Sequence, residues 1–151
     1  LRSIEEAEEM GEINVDSVLD RVLNEHQDQI KEKGIEIYVK DVNCIVKGGS
    51  LLEELFSNLV ENSIRHSGCD LIKIRTEREG DECMVKFEDD GIGISEDVKK
   101  KIFEKGYRSG RTAGSGLGMY LVKRIAENYG GGIELKDSEL GGARFDIKLK
   151  M

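Results

Sequence analysis

The chain has 151 residues, of which 38% are hydrophobic, and a formal net charge of -8 at pH 7. This length and composition indicate one globular domain with its own hydrophobic core. The acidic balance argues against a nucleic-acid binder that works by bulk electrostatics, so an anionic ligand would need local cations, backbone amides or a metal ion.

The three cysteines, Cys44, Cys69 and Cys83, are scattered and form no CxxC pair. Their spacing argues against a zinc site and against a disulfide framework, and we expect reduced thiols in a cytoplasmic protein. No apolar run approaches the ~20 residues that a membrane-spanning helix needs. The acidic start of the chain does not resemble a signal peptide.

The first third of the chain predicts two helical segments and a short strand pair. Residues 1–12 are acidic, and they fit either the tail of a helix or a frayed terminus. Apolar residues at helical spacing predict an amphipathic helix over residues 15–33. Alternation over residues 35–39 predicts a half-buried strand, for which residues 44–46 are a candidate partner.

The stretch Leu51–His66, LLEELFSNLVENSIRH, predicts the central helix of the domain. Its apolar residues recur at helical spacing, so one stripe faces the core. The opposite face carries Asn58 and Asn62, followed by Arg65 and His66. An ordinary solvated face would carry mainly Glu and Lys, and Asn is unfavourable in mid-helix. We therefore expect a ligand to use the two amides.

Local signals predict the start of this helix and the hairpin that follows it. Ser50 with Glu53 three residues later predicts a capping box. Residues 71–76 and 83–88 both alternate between apolar and polar side chains, and residues 79–81, Glu-Gly-Asp, form the turn between them.

Residues 89–94, DDGIGI, come directly after the second strand of the hairpin. The glycines permit tight turns and a close approach of the backbone to a ligand. A carboxylate that leaves a strand into such a turn is well placed to accept hydrogen bonds. A calcium-binding EF-hand loop is excluded because its third position requires an oxygen ligand and is here Gly91.

The next segment predicts a short helix and then a loop. Ser95 caps the predicted helix over residues 95–103, and residues 104–115 show little periodicity. Long loops of this kind in compact domains are often lids. A plain flexible loop would leave unexplained why it carries three cations, Lys105, Arg108 and Arg111, in so acidic a chain.

Residues 114–118, GSGLG, lead into the last predicted helix, which Gly130 can end. A glycine-rich turn at a helix N-terminus presents free N–H groups and the positive end of the helix dipole, which suits a phosphate. No Gly-Lys-Ser/Thr follows, so this is not a Walker loop, and Met119 replaces the third glycine of a dinucleotide fingerprint. Residues 133–135 and 145–149 alternate as two closing strands.

Taken in order, these motifs resemble the catalytic and ATP-binding domain of sensor histidine kinases. That domain belongs to the ATPase superfamily shared with DNA gyrase, the ninety-kilodalton heat-shock chaperone and mismatch-repair proteins. The N box resembles residues 58–66, the first glycine box residues 89–93, the F box Ile102-Phe103 with Tyr107, and the second glycine box residues 114–118. A final glycine motif resembles residues 142–145, where Ala143 replaces the usual Thr. Each motif alone is weak, but four in the family's order are specific.

The resemblance implies an α/β two-layer sandwich of the Bergerat type, with a mixed five-stranded sheet, about three helices on one face and nucleotide on the helix side. It implies that residues 13–151 form the catalytic and ATP-binding domain. Residues 1–12 would then be the remnant of a preceding dimerisation and phosphoacceptor helix, or a linker.

The resemblance also implies the roles of individual residues. Asn62 would bind Mg²⁺ through its amide oxygen, and Asn58 would join it near the phosphates, so that these two are the catalytic pair. Asp89 would accept a hydrogen bond from the adenine amino group, while Gly91 and Gly93 let the chain pass the purine. The remaining nucleotide contacts would be Arg65, His66, Ile94, Phe103, Tyr107, Arg108, Arg111, Gly114, Ser115, Gly116, Leu117 and Gly118.

The implied reaction transfers the γ-phosphoryl group of ATP to a histidine on a separate acceptor domain, with Mg²⁺ as the metal. The acceptor is not evident here, because His66 lies in the N box and His26 lacks the acceptor's surroundings. The implied partners are the protein's own dimerisation and phosphoacceptor helical domain and a response-regulator receiver domain, with no nucleic acid. We expect this domain to lie in the cytoplasm. Alone it should be a monomer, and the full-length protein should be a homodimer. Segments outside this sequence could anchor the full-length protein to a membrane.

Two alternative functions stay open at this point. An ATPase or anti-sigma-type serine kinase of the same superfamily usually has Glu where this chain has Asn58, and Asn cannot act as a base. A non-catalytic nucleotide-binding module is disfavoured by the intact Asn62, Asp89 and glycine boxes. The stimulus, the cognate response regulator and the choice between transfer within or between subunits are not evident from these residues.

Overall fold

The computed structural model describes residues 9–107 and 118–151. The elements in chain order are β1 Gly11–Asn14, α1 Val15–Glu25, α2 Gln27–Glu32, β2 Glu36–Lys40, β3 Ile45–Gly48, α3 Leu51–His66, β4 Leu71–Glu79, β5 Glu82–Asp89, α4 Glu96–Lys99, α5 Gly118–Asn128, β6 Gly132–Asp137 and β7 Ala143–Lys150.

Several of the sequence-based predictions lie outside the described residues. They concern the acidic segment over residues 1–8 and most of the loop with three cations. The site residues that fall there are Arg108, Arg111, Gly114, Ser115, Gly116 and Leu117.

Five strands form the main sheet, in the order β2-β4-β5-β7-β6. The edge strand β2 runs parallel to β4, and the other three pairs are antiparallel. The predicted hairpin is confirmed as β4 and β5, and its turn requires glycine because Gly80 has a φ of +62°. The predicted mixed five-stranded sheet is therefore confirmed.

The three longer helices, α1, α3 and α5, pack on one face of this sheet. Alternate residues of the strands supply the other half of the core, including the fully buried Ile72 and Ile74 of β4. Across the two layers, the rings of Phe56 on α3 and Phe87 on β5 stack with their centroids 5.9 Å apart. The opposite face carries ion pairs such as Arg75 to Glu88, at 3.4 Å. This is the two-layer sandwich that the resemblance implied.

The predicted helix over residues 15–33 is divided into α1 and α2 at His26. The His26 backbone leaves the helical region, with φ -99° and ψ 7°, and its ring Nδ1 lies 2.8 Å from the Val22 carbonyl oxygen. The His26 amide also donates to this oxygen, at 3.2 Å, so the ring nitrogen and the backbone amide both lie against one acceptor where the helix divides.

The predicted pairing of residues 44–46 with the strand at 35–39 is wrong. The strand β3 instead pairs antiparallel with β1, in a separate two-stranded sheet that aligns Gly11 with Gly48. Pairing between strands so far apart in the chain depends on tertiary packing, which alternation alone does not report.

The predicted capping box at the start of α3 is also wrong. Ser50 lies in the right-handed helical region, with φ -62° and ψ -22°, and its side chain makes no capping hydrogen bond. A capping hydroxyl requires an extended backbone at that position. Ser95 meets this requirement, and its hydroxyl accepts from the Val98 amide at 3.4 Å, as predicted for α4.

Two of the cysteines form a disulfide. Cys44, just before β3, is bonded to Cys83 of β5, and their Cα atoms are 6.2 Å apart. The expectation of reduced thiols is therefore wrong for this pair, because the packing of β3 near β5 brings together residues separated by 39 positions. Cys69 is free and buried. Among the described residues, no helix is long and apolar enough to cross a bilayer.

We expect one reactive thiol per chain when the protein is kept without reductant and then unfolded, because only Cys69 is outside the disulfide. Titration with Ellman's reagent in guanidinium chloride measures this number, and the same sample after reduction is the control, with three. Reduction should also lower the melting temperature by about 4–16 °C, since a native disulfide contributes about 2–4 kcal/mol. Three thiols before reduction would contradict the pairing.

Candidate functional site

The polar face of α3 presents Asn58 and Asn62, one turn apart. Asn62 is 94% buried, because its relative exposure is 6%, and its amide nitrogen finds no hydrogen-bond partner in the described part of the chain. The amide of Asn58 donates to the Glu54 carbonyl oxygen at 3.0 Å. A buried polar group without a partner costs about 1–3 kcal/mol. The Asn62 amide is therefore the group on this helix that most needs a ligand.

Asp89 ends β5 and is almost fully buried, at 1% exposure. Its Oδ1 accepts from the backbone amides of Gly91 at 3.0 Å and Ala143 at 3.4 Å. Its Oδ2 accepts from the Ser63 hydroxyl at 3.2 Å. In these contacts the Asp89 carboxylate acts only as a hydrogen-bond acceptor. The site therefore holds a strong hydrogen-bond acceptor at the junction of sheet and helices.

The glycines next to Asp89 are required by contacts within the protein. A Cβ at Gly91 would lie 2.2 Å from the Ser67 carbonyl oxygen, and a Cβ at Gly142 would lie 2.2 Å from Asp89 Oδ1. Gly93 has a φ of +74°, which disfavours other residues. The sequence analysis expected Gly91 and Gly93 to make room for a ligand. The structure adds that Gly91 makes room for α3 itself.

The turn after β5 is tied to the C-terminal end of α3 on two sides. The Ile92 amide donates to the Ser67 carbonyl oxygen at 2.8 Å. The Asp90 carboxylate accepts from the amides of Asp70 at 2.8 Å and Leu71 at 2.9 Å. Asp90 therefore organises the chain between α3 and β4, while Asp89 points to the other side of the turn.

Sequence reasoning missed Ser63 and Ser67. Both are buried, and they lie one turn apart at the end of α3. A signal was present, because a serine directly after Asn62 stands where the apolar stripe would lead one to expect an aliphatic side chain. The pattern alone does not show that its partner is Asp89, 26 residues later.

The predicted F-box residues lie mainly in the hydrophobic core. Ile102 is fully buried, and the Phe103 ring meets the Phe145 ring edge-on, with centroids 6.4 Å apart. The Nζ of Lys123 lies 5.9 Å from the centre of the Phe103 ring. Tyr107 is half-buried and is the last described residue before the gap at 108–117.

The start of α5 lies close to Asn58. A Cβ at Gly118 would be 3.3 Å from Asn58 Oδ1, so only glycine brings the helix this near without displacing the amide. The first amides of a helix, with the positive end of its dipole, favour an anion. The structure thus brings Asn58 and Gly118 together. At the end of α3, Arg65 is exposed and His66 is half-buried.

Comparison with known proteins agrees with this geometry. The family of histidine kinase-, DNA gyrase B- and HSP90-like ATPases matches residues 48–151. The chain therefore belongs to that family, and its relatives and structural neighbours identify it as an ATP-binding catalytic domain of the sensor histidine kinase type.

The curated relatives are sensor kinases that are longer than this chain. The sensor-like histidine kinase SenX3 of Mycobacterium bovis is 29% identical over 157 aligned residues, which cover 99% of this chain and 38% of SenX3. The sensor-type histidine kinase PrrB of Mycobacterium leprae is 32% identical over 91% of this chain and 31% of PrrB. The chain thus spans about a third of the length of these proteins.

Solved structures extend the similarity to the fold. The nucleotide-free catalytic domain of the histidine kinase ThkA superposes with a TM-score of 0.85 at 26% identity, covering 94% of this chain and 97% of that domain. The mycobacterial sensor histidine kinase MprB superposes with a TM-score of 0.80 at 25% identity, over 95% of this chain and 97% of that one.

We expect Gly91→Ala to lower the melting temperature and to weaken ADP binding by at least 10-fold, because the new Cβ would collide with the backbone oxygen of Ser67. Overpacking of this kind costs about 1–3 kcal/mol. The matched control is Gly132→Ala in β6, where a Cβ meets nothing within 4 Å. Differential scanning fluorimetry and calorimetric titration measure the two effects. Equal behaviour of both variants would contradict the close contact.

Proposed function

We propose that this domain binds Mg-ATP and transfers its γ-phosphoryl group to a histidine on a separate helical acceptor domain. One observation carries the proposal. A single turn of α3 holds the Asn62 amide, whose nitrogen has no partner within residues 9–107 and 118–151, next to Ser63, which binds the buried carboxylate of Asp89. One helix thereby positions a group suited to the phosphates and a group suited to the base.

The base is recognised by Asp89 in this proposal. Adenine presents an exocyclic amino group that donates to the carboxylate, whereas guanine presents a carbonyl oxygen at the same position, which would face another acceptor. A mismatch of this kind leaves buried polar groups unpaired and gives strong discrimination. The proposed nucleotide contacts are those named from the resemblance: Asn58, Asn62, Arg65, His66, Asp89, Gly91, Gly93, Ile94, Phe103, Tyr107, Arg108, Arg111, Gly114, Ser115, Gly116, Leu117 and Gly118.

Asn62 is the residue that would hold Mg²⁺. The described residues contain no group of three or more His, Cys, Asp or Glu side chains that could hold a metal ion. Mg²⁺ commonly keeps several waters and is held by one or two protein oxygens together with substrate phosphates. The buried, unpaired Asn62 amide fits this role, since rotation about χ2 presents its oxygen. When bound, the metal would neutralise charge on the phosphates.

The residues near the phosphates position oxygens but cannot take a proton. Asn58 and Asn62 carry amides, which are not bases near neutral pH. The acceptor histidine is therefore the nucleophile: its nitrogen forms a bond to the γ-phosphorus, the bond to the β–γ bridging oxygen breaks, and ADP leaves. The proton on that nitrogen passes to a group of the acceptor domain.

The rest of the full-length protein follows from this reaction. We propose that residues 13–151, with Gly11 and Glu12 of the same strand β1, form the catalytic domain, that the residues before them are a linker or the end of a dimerisation and phosphoacceptor helical domain, and that a response-regulator receiver domain takes the phosphoryl group next. The domain would work in the cytoplasm as part of a homodimer, because its relatives are sensor kinases about three times its length.

We expect Mg-ATP to raise the melting temperature and Mg-GTP to raise it much less. Asp89→Asn should weaken ATP binding by about 10- to 150-fold, because a hydrogen bond to a charged group contributes about 1.5–3 kcal/mol. Ligand-induced melting shifts over a concentration series measure both effects.

The matched control for this prediction is Asp90→Asn. It removes one charge at the neighbouring position, yet its oxygen still accepts from Asp70 and Leu71 on the far side of the turn. Equal shifts with ATP and GTP, or equal losses in both variants, would rule out Asp89 as the acceptor for adenine.

We expect the domain alone to hydrolyse ATP far more slowly than the ~10 per second of a typical enzyme. Hydrolysis needs a base beside the attacking water, and neither Asn58 nor Asn62 can act as one. Asn58→Glu should raise the rate by placing a carboxylate there. Phosphate release under saturating Mg-ATP measures it.

The control for this series is Asn58→Gln, which lengthens the side chain equally but keeps the amide and should leave hydrolysis slow. Asn62→Ala should abolish transfer to a supplied acceptor domain, because it removes the proposed metal ligand. Rapid hydrolysis by the unmodified domain would instead favour an ATPase of the same family.

A further inference from the structure

Ser63 is a buried hydroxyl on the side of α3 that faces the core. It is 5% exposed, and its neighbours Val60 and Ile64 belong to the hydrophobic core. Its hydroxyl donates to Asp89 Oδ2 at 3.2 Å, across from the backbone donors that hold Oδ1. Ser63, on α3, is therefore a side-chain donor to the carboxylate that we propose to bind the base.

The backbone at Ser63 is itself held in place by the end of α3. The Ser67 hydroxyl donates to the Ser63 carbonyl oxygen at 2.6 Å, and the Cys69 amide donates to the Ser67 hydroxyl at 3.1 Å. The Cys69 thiol lies 3.7 Å from the same carbonyl oxygen, and burial raises the pKa of this thiol, which keeps it neutral. These contacts fix where the Ser63 hydroxyl stands.

The direction of the Ser63 hydrogen bond has a chemical consequence. A hydroxyl has one proton, and Ser63 commits it to Asp89, so that only its lone pairs remain for other groups. Asp89 and Ser63 together then present hydrogen-bond acceptors. A water molecule in place of the hydroxyl has a second proton and can donate it to a carbonyl oxygen, so that it would accommodate a base with oxygen at position 6.

We propose that Ser63 is a positioning residue that sets the base specificity of the nucleotide site. It holds the Asp89 carboxylate in one orientation, and it keeps this end of the site free of donors that would match a 6-oxo purine. The inference rests on the proposed function, because it takes Asp89 as the group that meets the base. A purely structural Ser63 would affect stability but would not change the choice between bases.

The test compares the binding of ADP with that of inosine diphosphate. Inosine carries a carbonyl oxygen and an N1–H where adenine carries an amino group and a lone pair, and the two ligands otherwise match. Isothermal titration with the unmodified chain and with Ser63→Ala, Ser63→Cys and Ser63→Thr gives the ratio of the two dissociation constants. Cysteine is slightly larger than serine and only a weak donor, whereas threonine keeps the hydroxyl.

We expect Ser63→Ala and Ser63→Cys each to reduce the preference for ADP over inosine diphosphate by about 5- to 10-fold, the equivalent of one neutral hydrogen bond. Ser63→Thr should stay within about 3-fold of the unmodified ratio. The cysteine variant keeps the test open if the alanine variant unfolds, because it leaves less of a cavity.

The matched control is Ser67→Ala, which removes a buried hydroxyl one turn away that does not contact Asp89 in the hydrogen bonds described. It should lower stability without changing the ratio. An unchanged ratio in both Ser63→Ala and Ser63→Cys would overturn the proposal while leaving Asp89 in its role. An unmodified chain that shows no preference for ADP would instead overturn the base assignment on which the proposal rests.

Discussion

The arrangement of the site depends on how the Asp89 carboxylate is bound. Its donors come from three separate parts of the chain: the Ser63 hydroxyl of α3, the Gly91 amide of the following turn and the Ala143 amide of β7. A buried carboxylate is tolerated only when donors surround it, so the helix and the strands must meet here. The approach in turn requires glycine at 91 and 142, where a Cβ would displace the groups that form the site.

The helix α3 connects this carboxylate with the other end of the site. Asn62 directly precedes Ser63, and Asn58 lies one turn earlier beside the start of α5 at Gly118. In the proposed site, the spacing between the group for the base and the group for the phosphates is therefore set by regular helical geometry rather than by a loop. Rigid elements hold functional groups more accurately than loops do. The mixed sheet supports this helix through the core contact between Phe56 and Phe87.

Local sequence patterns correctly predicted the central helix and the hairpin. They did not predict strand pairs or bonds between residues far apart in the chain. The helix Leu51–His66 and the hairpin at Gly80 follow from periodicity and turn chemistry. The pairing of β3 with β1 and the disulfide depend on tertiary contacts. In the site, Asp89 and the asparagines were recognisable by motif and spacing. The role of Ser63 was not recognisable, because its hydroxyl is a candidate site group only through its hydrogen bond to Asp89, which lies 26 residues further along the chain.

An acidic chain that binds an anionic nucleotide needs local groups that offset the repulsion between the two negative charges. Glu25, Glu53, Glu54 and Glu61 line a surface depression of about 420 Å³ that also reaches Asn58. Burial, together with the neighbouring Glu25, raises the pKa of Glu53, whereas the nearby Arg21 opposes this shift. In the proposed function, the N-terminus of α5 and a divalent cation would offset the repulsion between this negative charge and the phosphates. Net charge therefore does not describe the proposed site, whose selectivity for the base would depend on local hydrogen bonds and on the donors that fix the Asp89 carboxylate.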